Sequence, residues 1–178
     1  MRKIAAILCC LLWMGFIFYQ SSQSGEASNE ISHEIINQIS NQVKPSTLIE
    51  KGQVQEPKQG IENTPSFETL NVMIRKSAHA FEFFVLALLL AWVLTEYHFN
   101  SWKLASLTLI GVCLYAASDE LHQFFVEGRS ARLFDVFVDS TGGIIGICLF
   151  IIVKNIKRNV FRTKIKVPNL LTKRSKKR

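Results

Sequence analysis

Charged and polar side chains in the central part of this chain recur at the spacing of one helix face. Arg75, His79 and Glu82 stand at i, i+4 and i+7, so they lie on the same face of any helix that contains them. Asp135 and Asp139 are also four residues apart. Carboxyl and imidazole groups can act as general acids, general bases or proton shuttles, and arginine can bind a phosphate or carboxylate.

These patterns indicate two sets of candidate site residues. The candidates for acid–base catalysis are Glu82, His79, Asp119, Glu120 and Asp135. The candidates for substrate binding are Arg75, Lys76, Gln123, Arg129 and Asp139. His122 is a further candidate for proton transfer. The same groups could instead pair across helices and only hold a bundle together, so the spacing alone does not decide between chemistry and structure.

Known catalytic signatures do not narrow the choice. The chain has neither an HExxH zinc-protease motif nor a GxSxG nucleophile motif, and no Cys/His spacing typical of zinc. No metal site is therefore predicted, although the carboxylates could hold a divalent cation through oxygen ligands. Whether the protein uses a cofactor is unknown from the sequence, and whether it is an enzyme stays open.

Four apolar segments must position these residues. A helix needs roughly 20 residues to cross a bilayer core of about 30 Å. The segments are residues 4–19, 77–97, 104–126 and 134–153. Their nearly uniform apolarity excludes the amphipathic pattern of a helix on a soluble protein. The sequence therefore predicts an all-α, polytopic membrane protein with a bundle of four transmembrane helices.

The first apolar segment has two interpretations. Arg2 and Lys3 precede it, as in the basic start of a secretory signal peptide. Aromatic residues at 16, 18 and 19, however, occupy the place where small residues should precede a cleavage site. We therefore favour a retained anchor, with a cleaved signal peptide as the alternative.

Lys and Arg are unevenly distributed among the segments that flank the spans. Eleven of the 21 lie in residues 154–178, which contain no Asp or Glu. The stretch 20–71 carries seven Glu against three Lys, a net charge of −4. Because Lys and Arg accumulate on the cytoplasmic side, we expect both termini in the cytoplasm and the stretch 20–71 outside the cell. Arg75 and Lys76 then lie outside, against this trend.

The chain accordingly divides into four parts. They are a first transmembrane helix at 1–19, an extracellular polar loop at 20–71, a core with helices 2–4 at 72–153, and a cytoplasmic polybasic tail at 154–178. Isoleucines at 31, 35 and 39 recur every four residues, which predicts a short amphipathic helix on the membrane surface within an otherwise irregular loop.

The tail and the cysteines exclude two other classes of protein. The tail directly follows an apolar span, so we interpret it as an anchor near anionic lipid. No basic and aromatic module accompanies it, so nucleic-acid binding is not predicted. All four cysteines lie within apolar segments, where we expect them to pack as small apolar residues without disulfides: Cys9, Cys10, Cys113 and Cys148.

Three motifs in order give the chain a resemblance to VanZ-like membrane proteins. The run RKSAHAFEF at 75–83 resembles the family signature RKxxHxxE[YF], and DELHQ at 119–123 resembles DExxQ. The third motif, GRx₅Dx₃[ND]xxGxxxG, is matched from Gly128 to Gly146. The aromatic-Ser-Gln run at 18–23 also resembles the end of the first helix in the family. The resemblance covers about residues 5–153; Glu127 departs from it, because many members have Pro there.

The resemblance implies a bacterial cell membrane protein with a link to the cell envelope. The family takes its name from a protein that gives low-level resistance to the glycopeptide teicoplanin, and most members have no assigned activity. We consider an enzyme acting on a lipid-linked or cell-wall precursor, and a module that only binds such a component. The alternative is a non-catalytic structural or partner-binding membrane subunit. Gly142 and Gly146 form a GxxxG pair, which more often packs within one chain than between chains.

Overall fold

The computed structural model describes residues 1–43, 65–129 and 132–175, and these residues form helices and no strands. The helices are α1 Arg2–Ser21, α2 Gly25–Val43, α3 Pro65–Thr95, α4 Ser101–Gln123 and α5 Leu133–Ser175. Four stretches are long and apolar enough to cross a membrane: Arg2–Ser21, Thr69–Thr95, Ser101–Gln123 and Leu133–Val160. The predicted all-α bundle with four transmembrane helices is confirmed.

Two helices extend further than the apolar segments that predicted them. Helix α3 begins at Pro65, so Arg75 and Lys76 lie within it rather than in front of it. Proline is well tolerated in the first turn of a helix, where its missing N–H costs nothing. Helix α5 continues to Ser175 through the basic tail. Lys and Arg are good helix formers, so a helix need not end where its apolar segment ends.

The connection between α1 and α3 contains the predicted amphipathic helix. In α2, Ile31 and Ile35 are exposed, whereas Ser32 and Ile36 are buried on another face. The helix packs against α3. The contact of Ile31 and Ile35 with a membrane surface stays a prediction. The predicted irregular loop falls mainly on residues 44–64, outside the described part of the chain.

Apolar side chains from the four long helices form the core of the bundle. Helix α3 contributes Phe83, Leu86 and Ala87, all fully buried. They pack with buried residues of the other helices: Cys10 and Ile17, Val112 and Ala116, and Ile147. Many large apolar side chains elsewhere are exposed, such as Leu12 at 75% and Phe137 at 70%. A surface this apolar suits lipid rather than water.

Helices α3 and α5 approach closely at the predicted GxxxG pair. A Cβ atom added at Gly142 would overlap the carbonyl group of Ala80. One at Gly146 would lie 2.6 Å from the carbonyl oxygen of Phe84. Both glycines pack directly against backbone atoms of α3 in the same chain. The interpretation of the GxxxG pair as a contact within one chain is therefore confirmed.

Helix α1 is tied into the bundle by side-chain hydrogen bonds. The indole Nε1 of Trp13 donates to the Glu82 carbonyl at 2.9 Å, and the Tyr115 hydroxyl donates to the Met14 carbonyl at 2.6 Å. These bonds join α1 to both α3 and α4, which supports its interpretation as a retained anchor.

The four cysteines differ in how deeply they are buried. All four are free thiols in the structure. Cys10 is buried in the core, and Cys113 is half-buried. Cys9 and Cys148 are exposed on the outside of the bundle, within apolar segments. In a membrane protein an apolar segment can face lipid on one side, so apolarity does not determine which residues face the core.

Candidate functional site

Polar side chains gather at one end of the bundle, which we call the charged end. Here α1 and α4 end, α5 begins, and the N-terminal half of α3 passes. A cavity of about 150 Å³ lies at this end. Its lining consists of Val72, Arg75, Lys76, His79, Glu120, Gln123, Gly128, Arg129, Arg132, Asp135, Val138 and Asp139.

The structure brings the ten candidate site residues together at this end. Eight of them line the cavity, and two do not. Glu82 and Asp119 lie beneath it, with only 8% and 3% of their surface exposed. The sequence predicts all ten at one depth. In the structure, eight form the cavity lining, and Glu82 and Asp119 form what we call the buried layer.

His79 and Glu82 form a pair on α3. The Nδ1 atom of His79 lies 3.3 Å from Oε2 of Glu82, three residues along the helix. Glu82 is buried and His79 lines the cavity, so the carboxylate stands behind the ring. Neither Nδ1 nor Oε2 has a hydrogen-bond partner among the described residues, so the two groups interact through charge rather than through a hydrogen bond.

Asp119 is held by a buried hydrogen-bond network beneath the cavity. Its Oδ2 accepts from the Ser21 hydroxyl at 2.8 Å and from the Gln123 amide at 2.9 Å. Its Oδ1 is buried without a hydrogen-bond partner among the described residues. Ser21 is the last residue of α1, so this network joins the ends of two transmembrane helices.

Arg75 is bound by a neutral side chain from α2. Its Nη1 donates to the Asn29 amide oxygen at 2.9 Å. The same oxygen accepts from the Asn71 amide at 3.4 Å, and Asn71 in turn contacts His33 at 3.2 Å. Helix α2 thus covers the α3 side of the charged end with amide and imidazole groups rather than carboxylates.

Arg129 is likewise bound by neutral oxygens, at the end of α1. Its Nε donates to the Gln23 carbonyl at 3.0 Å, and its Nη2 donates to the Gln20 carbonyl at 3.3 Å. Its Nη1 is buried and has no hydrogen-bond partner among the described residues. Burial, with the nearby charge of Arg75, lowers the pKa of the Arg129 guanidinium from its ordinary value. A group so placed is stabilised by an added anion.

The turn before α5 fixes the position of Arg129. Gly128 has a φ of 72°, a conformation that glycine adopts without steric cost. The Gly25 N–H donates to the Glu127 carbonyl at 3.2 Å, and a Cβ at Gly25 would overlap the Gly128 carbonyl. Two glycines therefore let the chain after α1 lie directly against this turn.

The carboxylates that line the cavity differ in their partners. Asp135 forms an ion pair with Lys76, and Glu120 accepts from the backbone N–H of Arg132. Asp139 is 4% exposed and has no hydrogen bond or ion pair within the described residues. Asp139 is therefore the lining carboxylate with the most freedom to exchange a proton with a ligand.

His122 lies away from the cavity lining. Its ring stacks on Phe18 with centroids 4.2 Å apart, and its Nε2 lies 3.0 Å from the Ser22 hydroxyl. These contacts fasten α4 to α1, so the residue has a packing role in this structure. Among the described residues, no three His, Cys, Asp or Glu side chains converge in a way that could hold a metal ion.

Several residues of the charged end were not among the candidates. Ser21 and Asn29 come from the stretch that sequence reasoning set aside as a polar loop. The aromatic-Ser-Gln run contained a signal for Ser21, because it ends the first helix. Asn29 had no such signal, since nothing in its neighbourhood distinguishes it from a solvent-exposed amide.

The fold and the site define a polytopic membrane protein with a charged cavity at one end of a four-helix bundle. The VanZ/LLP1 family model matches residues 6–154, which is most of the chain. The chain therefore belongs to the VanZ/LLP1 family. No curated protein and no solved structure matches it significantly.

Proposed function

We propose that the charged end faces the outside of a bacterial cell membrane and that its cavity binds or modifies a lipid-linked or cell-wall component. Glycopeptides such as teicoplanin would then act less well on the cell. The resemblance to the protein after which the family is named supplies this phenotype. The cavity is the observation that carries the proposal, because it collects charged side chains from three transmembrane helices at one depth.

The distribution of charge supports this orientation. At the opposite end of the bundle, Arg2, Lys3 and Lys103 are exposed, as expected for a cytoplasmic surface. Arg75 and Lys76 are the exception to the charge rule, and both have partners within the protein. The accumulation of Lys and Arg on the cytoplasmic side concerns loops, so basic residues that bind groups inside the bundle need not follow it. We also propose that the tail from residue 154 binds anionic lipid in the cytoplasmic leaflet.

A catalytic and a purely binding role make different demands on the cavity. His79 with Glu82 behind it, and Asp139 opposite in the lining, provide groups that could take and give a proton. A binding module would use the same groups only as hydrogen-bond partners and charges. The alternative proposal, a structural subunit, gains no support from the glycine pair, which packs inside the chain.

Teicoplanin susceptibility of a deletion strain tests the proposal. We expect deletion to raise susceptibility and expression from a plasmid to restore it, with protein levels in the membrane checked by immunoblot. If neither deletion nor overexpression changes susceptibility, the proposed function is wrong for this protein.

Variants expressed in the same strain separate catalysis from binding. An enzyme should lose nearly all activity on Glu82→Gln, His79→Gln or Asp139→Asn, because an amide cannot carry the proton. A binding site should keep part of its effect, since one hydrogen bond contributes about 0.5–3 kcal/mol. Asp119→Asn is a comparison within the buried layer, where we expect a change in protein level before a change in activity.

A further inference from the structure

Three arginines line the cavity, and two of them, Arg75 and Arg129, are half-buried and lie outside any ion pair among the described residues. These two are the feature that indicates a ligand. Arg75 is bound by an amide oxygen and Arg129 by two backbone carbonyls. Within the described part of the chain, the ion pair at this end is Lys76 with Asp135, and His79 pairs with Glu82 only when its ring is protonated. Neutral oxygens orient a guanidinium without cancelling its charge.

Arg129 has a donor group that no protein atom uses. Its Nη1 is buried and lacks a hydrogen-bond partner among the described residues. Leaving a buried charged donor unpaired is costly, whereas hydrogen bonds to charged groups are among the strongest in proteins. Arg75 and Arg129 line the same small cavity, and the charge of Arg75 helps to lower the pKa of Arg129.

We propose that Arg75 and Arg129 bind a phosphate monoester, and that the ligand is the headgroup of a membrane lipid. A planar carboxylate fits one guanidinium fork, whereas the tetrahedral oxygens of a phosphate can contact two guanidinium groups, one from α3 and one from the turn before α5. A phosphate monoester carries a charge of about −1.5 to −2 at pH 7, which matches two arginines. This inference rests on the proposed function for its membrane setting and names the ligand class of the same site.

The nearby carboxylates have partners of their own, although Asp119, Glu82 and Glu120 also act on the charge of Arg129. Asp135 is neutralised by Lys76, and Glu120 is bound by a backbone N–H. Glu82 and Asp119 lie in the buried layer below, where His79 and the Ser21 network hold them. Asp139 remains in the lining, where a protonated carboxyl group would donate a hydrogen bond to a phosphate oxygen.

The size and surroundings of the cavity suit a headgroup and not a whole lipid. Its volume of about 150 Å³ is below the 300–1,000 Å³ of sites that enclose a drug-sized ligand. Val72 and Val138 belong to the lining, and Val72 is itself exposed. The acyl or prenyl chain of the lipid would lie outside the cavity, against the exposed apolar surface of the bundle.

Binding of short-chain lipids to the purified full-length protein in detergent tests the inference. The probe is dioctanoyl phosphatidic acid, a phosphate monoester, and the comparisons are dioctanoyl phosphatidylglycerol, dioctanoyl phosphatidylcholine, inorganic phosphate and succinate. We expect phosphatidic acid to bind at least tenfold more tightly than phosphatidylglycerol, and phosphatidylcholine not to bind. If inorganic phosphate binds as tightly as the lipid, the site recognises a phosphate group, but the proposal that the ligand is a lipid headgroup is wrong.

Charge-removing variants connect the binding to the two arginines. Arg75→Gln and Arg129→Gln should each weaken binding by about tenfold or more. Lys103→Gln removes an exposed base at the opposite end, outside the basic tail, and should leave the affinity unchanged. Because Arg129 also holds the end of α1, size-exclusion profiles establish folding, and Arg129→Lys provides a second variant that keeps the charge but loses the fork.

Three results would overturn the inference. They are unchanged affinity in a folded Arg75→Gln variant, equal affinity for the monoester and the diester lipid, and binding of succinate in preference to phosphate. Failure of the proposed function is a separate outcome: lipid binding that depends on both arginines, with no effect of deletion on teicoplanin susceptibility, would leave this site established and the resistance role rejected.

Discussion

The two ends of the bundle carry charge in opposite ways. At the end away from the cavity, Lys3 and Lys103 are exposed, and the contact of Lys3 is the face of the Tyr97 ring, 4.9 Å away. At the charged end, acidic side chains are buried and joined across helices, as Asp119 is to Ser21. Exposed basic residues attract a ligand through their total charge, whereas buried polar groups bind it through the positions of their donors and acceptors. Only the charged end can therefore select a ligand by shape.

Labelling of single cysteines tests which of these ends faces outside, and it has the largest expected effect. In a background without native Cys, Ser46→Cys and Ser175→Cys are treated with an impermeant thiol reagent on intact cells. We expect complete labelling at position 46 and none at 175, because the charge distribution places the termini in the cytoplasm. The reverse pattern would place the cavity on the cytoplasmic side.

A small substitution at the α3 and α5 contact should disturb the charged end strongly. Gly142→Ala places a Cβ against the Ala80 carbonyl, next to His79 and close to Asp139. Because backbone cannot yield as a side chain does, we expect a loss of at least about 1–3 kcal/mol or failure to fold. The measurement is thermal stability by size-exclusion chromatography in detergent.

Gly15→Ala is the matched control for that substitution. A Cβ at Gly15 has nothing within 4 Å, so we expect equal or slightly higher stability, since alanine favours helix. If both variants lose stability equally, helix packing at Gly142 is not what holds α3 against α5.

The link between α1 and Asp119 should have a moderate effect. Ser21→Ala removes the donor at 2.8 Å and leaves Asp119 with Gln123 alone. Hydrogen bonds between transmembrane helices average about 0.6 kcal/mol, and a buried carboxylate that loses a donor costs somewhat more. We expect a fall in stability of about 0.5–2 kcal/mol.

Ser118→Ala provides the comparison for the serine variant, because Ser118 is exposed and donates to its own helix at the Tyr115 carbonyl. A Ser21→Ala protein as stable as Ser118→Ala would mean that the end of α1 is not part of the buried network.

Substitutions of the exposed bases should have the smallest effect. Lys103 and Arg158 lie at the opposite end and are exposed. Replacing either by Gln should change the free energy of unfolding by no more than about 0.5 kcal/mol. The same thermal assay measures this. A large loss in either variant would contradict the contrast between an exposed basic end and a buried charged end.

The sequence by itself determined the class of the protein and most of the composition of its site. Apolarity over about 20 residues specifies a transmembrane helix whatever the neighbours are, so the four spans could be found directly. Spacing along one helix is also local, which is why the His79 and Glu82 pair and the Asp119 and Gln123 bond agree with their predicted spacings.

Only the tertiary structure decided which groups meet across helices. The rotation of each helix about its axis puts Glu82 and Asp119 beneath the cavity and leaves Asp139 in its lining. The neutral partners of Arg75 and Arg129 come from α2 and the end of α1, many residues away in the chain. No periodicity within a segment encodes such a pairing, because it depends on how separate helices pack against one another.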